Sequence, residues 1–416
     1  MRILVVQESD WLDKGPHQSH HLMERLTERG HEVKVIDFEI LWRDRASRSA
    51  FSGRRVFKNV HKATDNGSVT VIRPSIIKLP ILEYLSLAYF HRKEILQQIR
   101  GFKPDVVVGF GILNAYIAIR LCTKFGIPFV YYLIDELHRL VPQKYLRGLA
   151  RLIERANMMA SAQVLSINEG LRQYTIGMGA VHENATIIRA GVDLERFRLD
   201  DESRREIRTK YGFNDSDIVL FFMGWLYEFS GLGEVALELT EKRWRDSRIK
   251  MLILGEGELW DDLCRIRDEG GLADRIILEP WRAYSEVPKY VLASDICILP
   301  AHKNEIMMNI VPIKMYEYLA AGRPVIATNL PGLRKEFGEE SGIVYVNTPE
   351  ETILKACQIV ENDSSEELGR RARCFVESNS WDKTVRQFEE AMERAIWRPV
   401  QIERKEREGP SMHQIV

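Results

Sequence analysis

Pro312-Ile-Lys-Met-Tyr-Glu-Tyr-Leu-Ala-Ala-Gly322, running on into Arg323-Pro-Val-Ile-Ala-Thr-Asn329, decides the fold of this 416-residue chain. The spacing predicts a helix from about Pro312, stopped by Gly322, and then a short buried strand. Proline at a helix start leaves the first-turn N–H groups exposed. Those amides and the positive end of the helix dipole form a diphosphate-sized anion site. The dipole disfavours a cation in the first turn unless an anion sits beside it, so Lys314 favours a bound phosphate. Glu317, one turn on, offers two acceptor oxygens suited to the vicinal hydroxyls of a ribose. An ordinary capped helix with a surface Lys and Glu is the plainer alternative.

Outward from this stretch, short apolar runs alternate with amphipathic segments, the pattern of a parallel sheet covered on both faces. Ile218 to Met223, Lys250 to Leu254, Ile276 to Leu278, Ile296 to Leu299, Pro324 to Ala327 and Gly342 to Val346 form one set of expected strands. Upstream, Ile3 to Val6, Val33 to Ile36, Val69 to Ile72, Val106 to Gly109, Phe129 to Ile134 and Val164 to Ile167 form another. Helices are expected between them, such as Ser19 to Arg29 and Ile81 to Ile99, stopped by Gly30 and Gly101. The fold class is therefore α/β, with two Rossmann-like doubly wound domains facing a central cleft. The expected divisions are 1–195, 196–379, a C-terminal helix 380–398 crossing back to the first domain behind Ser380 as N-cap, and a charged tail 399–416. Ligands bind such sheets at their C-terminal edges, which here face the cleft.

The chain carries a formal net charge of -1, yet residues 1–180 hold 26 Lys and Arg against 17 Asp and Glu. This basic half could meet something anionic: a membrane surface, a phosphate-bearing acceptor or nucleic acid. Five separate cysteines exclude a disulfide framework. The opening Met1 to Val6 is too short for a signal segment, and no run approaches the roughly 20 apolar residues of a membrane span. A cytoplasmic location is expected. Arg43 to Lys62 interleaves seven cations with Trp42, Phe51, Val56 and Phe57 and could touch anionic lipid at the inner membrane face, or be an irregular basic loop.

The opening stretch resembles glycosyltransferase family 4, the retaining, group 1 type enzymes of GT-B fold. The resemblance extends through Arg2-Ile-Leu-Val-Val6, Glu28-Arg-Gly-His-Glu-Val33, Ser161 to Leu171, Gly191-Val-Asp193 with Phe197, Leu252 to Gly257 and Ala293 to Pro300. It implies transfer of a sugar from a nucleotide-diphosphate sugar to an acceptor hydroxyl, with retention and with neither metal nor cofactor. The partners it implies are that donor and a glycan, lipid-linked or small-molecule acceptor, not nucleic acid. Glu317 matches the second glutamate of the family's E-x7-E motif, while Asn309 stands where the first would be. Many members place Arg and Lys beyond Gly224 to neutralise the donor diphosphate; here Trp225 and Ser230 stand there. Lys314, Arg282 and the helix starts near Ser230 and Pro312 are the substitutes, with Lys314 the expected cation. A non-catalytic sugar-nucleotide-binding protein of the same fold is the alternative these departures raise.

In the first half, Asp13-Lys-Gly-Pro-His-Gln-Ser-His-His21 opens a helix after the first strand. The resemblance places Gly15 near the donor phosphate, and His17 and His20 are expected on the acceptor side. His17 and His21 lie at i, i+4 but lack a third partner, so no metal site is expected. Asp135, Glu136 and His138 cluster at a strand end, where an acid could orient an acceptor hydroxyl or stabilise an oxocarbenium-like transition state. Asp135 as a helix cap beside solvated neighbours is the alternative. Gly109-Phe-Gly-Ile-Leu-Asn114 imitates part of a dinucleotide fingerprint but lacks its last glycine.

Overall fold

The computed structural model describes residues 1–13, 16–40, 49–79, 82–141, 143–198, 200–305 and 307–397. The first half contains strands β1 (Arg2–Val6), β2 (Glu32–Ile36), β3 (Phe51–Ser52), β4 (Arg55–Val60), β5 (Val69–Arg73), β6 (Ile76–Ile77), β7 (Val106–Gly109), β8 (Phe129–Leu133), β9 (Gln163–Ser166) and β10 (Ala185–Ile187). Its helices are α1 (Gln18–Glu28), α2 (Leu82–Gly101), α3 (Leu113–Phe125), α4 (Arg147–Ala160) and α5 (Glu169–Gly177). Eight strands form one sheet in the order β10-β9-β8-β7-β1-β2-β5-β4, parallel except for β4. Helices α2, α3 and α4 lie side by side on one face of this sheet, and α1 covers the other.

The second half contains α6 (Asp201–Lys210), β11 (Ile218–Met223), α7 (Leu232–Glu238), β12 (Ile249–Leu254), α8 (Trp260–Glu269), β13 (Ile276–Glu279), α9 (Val287–Ala293), β14 (Ile296–Leu299), α10 (Ile313–Ala320), β15 (Val325–Thr328), α11 (Pro331–Phe337), β16 (Ile343–Val346), α12 (Glu351–Glu361) and α13 (Ser365–Val376). Its six strands are all parallel, in the order β13-β12-β11-β14-β15-β16. Apolar side chains alternate to opposite faces, and every residue of β11 is buried because helices cover both faces.

The last described helix, α14 (Trp381–Trp397), returns to the first half and packs on α1. Glu389 on α14 accepts from Arg29 and pairs with His31, each at 2.6 Å, and Phe388 lies against Tyr132. The two crossings between domains run side by side, with Val192 N donating to Asn379 O and Trp381 N to Val192 O.

Two local expectations change. The described part of Arg43 to Lys62 is no irregular loop: β4 pairs antiparallel with β5 at the sheet edge. Arg54 and Arg55 are bound there to the buried Glu94 and Glu39, so two of the seven cations are already neutralised. Residues 41–48 of that segment and the tail from 398 lie outside the described residues. Helix α2 also runs through Gly101, and Lys103 takes the left-handed turn at φ 52°.

Candidate active site

One wall of the cleft comes from the C-terminal edge of the second sheet. Strand β11 leads directly into Gly224, whose φ of +133° few other residues adopt. A Cβ there would stand 2.4 Å from Lys314 Nζ, so the missing side chain is what admits the lysine. Pro312 is the N-cap of α10, and Lys314 lies in the first turn with its ammonium 4.2 Å from the Phe222 ring centre. Burial pushes its pKa down to about 8, and the nearby Glu317 carboxylate opposes that shift. An ammonium held at this cost gains from an arriving anion. Lys314 places a positive charge on this wall.

Glu317 follows at i+3, on the same helix face, and is 5% exposed. Tyr284 OH donates to its Oε1 at 2.6 Å. Burial raises the carboxyl's pKa, against the Tyr284 hydrogen bond and the Lys314 charge. Tyr284 in turn stands edge-on to His21, which stacks on Trp381 at 4.4 Å, so Glu317 is braced by both domains and by α14. Ser230 is buried, and its Oγ has no partner among the described residues. It brings no charge, and α7 behind it has only seven residues.

Arg282 does not join this group. It is exposed and bound to Glu279, which also receives Lys210 at 3.2 Å. Its charge is spent at the end of β13, with no contact to Lys314 or Glu317.

The opposite wall is the loop after β8. Asp135 is half-buried there, and its pKa is pushed up to about 7, first by burial and then by the charge of Glu136. The Tyr227 phenol, on the other domain, feels Asp135 across the cleft. Glu136 binds Arg139 at 2.7 Å and accepts from Asn309 Nδ2 at 3.3 Å. Asn309 also accepts at its backbone oxygen from Asn168 Nδ2 at 3.3 Å. The position expected to hold a carboxylate therefore bridges the two domains with an amide. A shallow pocket open to solvent is lined by Asp135, Glu136, Arg139, Glu305 and Asn309, with Leu140, Leu171 and Ile310 as its apolar part. Glu305 and Asn309 line it from the second half of the chain.

His138 faces the other way. Its Nδ1 lies 2.8 Å from the fully buried Glu154, which also accepts from Tyr174 OH at 2.9 Å and from Leu137 N at 3.2 Å. These bonds fix the loop that presents Asp135 and Glu136, so His138 supports the site and does not line it. His20 is also corrected: it is 1% exposed, accepts from His17 N at Nδ1, and donates from Nε2 to Trp11 O. With both nitrogens engaged and its pKa pushed down to about 3 by burial, it stays neutral and cannot reach an acceptor. His17 is the exposed N-cap of α1. Gly15 lies outside the described residues.

The dinucleotide alternative fails on geometry. The start of α3, where a pyrophosphate would sit, is filled by Glu8, whose carboxylate accepts from Asn114 N at 2.7 Å.

Sequence reasoning missed Tyr284, Tyr227, Asn168 and Glu154 as site residues. Asn168 lies within the Ser161 to Leu171 fragment but its role was not legible there, because each acts on a residue 16 to 141 positions away. The alternating aromatic residues Trp225, Tyr227 and Phe229 are the signal that could have marked this loop as other than a plain anion site.

A cleft walled by the C-terminal edges of two parallel sheets is the mark of the GT-B class. The chain belongs to the GT-B glycosyltransferase superfamily, whose two halves are matched separately: residues 18–196 by Glycosyltransferase Family 4, residues 203–394 by Glycosyl transferases group 1. It is 24% identical over 329 residues to D-inositol 3-phosphate glycosyltransferase of Paenarthrobacter aurescens, covering 74% of this chain and 78% of that protein. It is 30% identical over 158 residues to alpha-D-kanosaminyltransferase of Streptomyces kanamyceticus, which is 36% of this chain and 39% of that one. Among solved structures, HepE of Anabaena in complex with UDP superposes with a TM-score of 0.71 at 14% identity, over 94% of this chain and all of that one.

Proposed function

We propose that this protein transfers a sugar from a nucleotide-diphosphate donor to an acceptor hydroxyl of a glycan, lipid-linked or small-molecule acceptor, with retention and without a metal ion. The observation that carries this reading is the pair on α10: Lys314, half-desolvated over Gly224, and Glu317, buried one turn later. Lys314 and the first-turn amides of α10 take the diphosphate, and the charge that grows on it as the glycosidic bond breaks meets the ammonium. Glu317 Oε2, left free of Tyr284, accepts from ribose hydroxyls. Asp135, as a carboxylate, stabilises the positive charge developing on the sugar.

The test is a thermal-shift screen against UDP, GDP and ADP, each alone and with common sugars, followed by mass spectrometry of products. Stabilisation by one nucleotide and transfer from its sugar, both lost in Lys314→Ala and Glu317→Ala, are expected. Tight nucleotide binding with no turnover of any donor would assign the chain to the non-catalytic alternative that Trp225 and Ser230 favour.

A further inference from the structure

The outer surface of α2, α3 and α4 bears cations and apolar side chains and no exposed acid among the described residues. The three acids in these helices, Glu83, Glu94 and Glu154, are at most 3% exposed. Outward on α2 stand Arg92, Lys93 and Arg100, on α3 Arg120 and Lys124, and on α4 Arg151 and Arg155. None of these seven forms an ion pair among the described residues. Lys144 extends the row just before α4.

Large apolar groups protrude between these charges. Leu149 and Leu152, at i and i+3 of α4, are 56% and 64% exposed, and Tyr145, in the turn just before α4, is 79% exposed. On α2, Leu85 and Tyr89 are 64% and 66% exposed, with Leu82 one turn earlier. These apolar groups lie at the starts of their helices. Because α2 and α4 each lead into a parallel strand, both helices begin at the C-terminal edge of the sheet, beside the cleft. The cleft wall at Arg139 and Leu140 runs directly on toward Lys144 and Tyr145.

We infer that this face docks the protein on an anionic lipid bilayer, the apolar groups entering the headgroup region and the arginines and lysines meeting lipid phosphates. A second copy of the chain is a poor occupant, because a two-fold contact would oppose cation to cation. The binding is independent of the transfer reaction. It turns the cleft mouth toward the surface where a lipid-linked acceptor would be held.

Co-sedimentation with vesicles of phosphatidylcholine, with and without phosphatidylglycerol, tests this. The full chain is expected to sediment only with the anionic vesicles and to be released by salt. Arg151→Ala is expected to weaken partition about fivefold, and Arg151→Ala with Arg155→Ala about 25-fold. Leu149→Ser with Leu152→Ser is expected to lower partition at low salt also, with unchanged melting temperature in every variant because these side chains are exposed. Failure to sediment, or sedimentation indifferent to phosphatidylglycerol, overturns the inference. So does a dimer in light scattering that Leu149→Ser with Leu152→Ser dissolves, which would assign the face to a second copy.

Discussion

The two walls of the cleft are built on opposite plans. On the α10 wall, cation and acid sit at i and i+3 of one helix, so a local rule brings Lys314 and Glu317 together. On the β8 wall, Asp135 and Glu136 ride on a loop whose shape depends on Glu154, Tyr174 and Asn309, drawn from two other helices and the opposite domain. The first wall is a motif, and the second is an assembly. Loss of a motif residue should therefore remove chemistry and leave the fold, whereas loss of a supporting residue should cost both.

The largest effect is expected on the motif wall. Lys314→Ala should lower kcat/KM by about 10²- to 10³-fold with the melting temperature nearly unchanged, measured by steady-state kinetics beside calorimetry. Its titration adds a sign: Lys314 is charged below pH about 8 and neutral above, so donor affinity should fall as pH rises through that value. In Lys314→Arg, that alkaline limb should disappear from the kcat/KM profile. A limb unmoved in this variant would detach Lys314 from the diphosphate.

Asp135→Asn comes next, with an expected loss of about 10²-fold in kcat. The wild-type carboxyl, held at about 7, is neutral below that pH and ionised above it. Activity should thus climb as pH rises through about 7, and the asparagine variant should lack that limb. Its raised pKa also makes ionised Asp135 a stability cost, so its contribution to folding falls as pH rises from 3.8 toward 7.

Glu154→Gln tests the assembled wall. It should cost about 1–3 kcal/mol in unfolding free energy, because it alters a buried hub that accepts from Leu137 and Tyr174, and it should lower kcat together with stability. A full-strength fold with lost activity would instead make Glu154 a reacting group. The smallest effects separate two neighbours on the loop after β13. Tyr284→Phe removes one hydrogen bond to Glu317 and should raise donor KM about fivefold. Arg282→Ala, an exposed pair with Glu279, should change it by less than about twofold.

Much was legible before the tertiary structure. The apolar runs placed twelve strands because parallel strands covered on both faces are apolar throughout, and helical spacing put Lys314 and Glu317 on one face. Short, two-residue or edge strands such as β3, β4 and β10 carry no such run, which is why Arg55 to Val60 read as loop. His20 and His138 looked equally reactive in sequence. A histidine's availability depends on what surrounds its two nitrogens, and here the surroundings are a carbonyl eleven residues into the chain and a carboxylate on another helix.

The sequence by itself determined the two-domain parallel architecture, the helix start at Pro312 with Lys314 and Glu317 on one face, and the surplus of positive charge in the first half, since periodicity, helix ends and composition are local properties. Tertiary structure alone decided that Asn309 bridges the domains, and that α2, α3 and α4 turn seven cations outward and their three acids inward. Those arrangements depend on which surfaces the fold brings together, and contact and burial are not written in spacing.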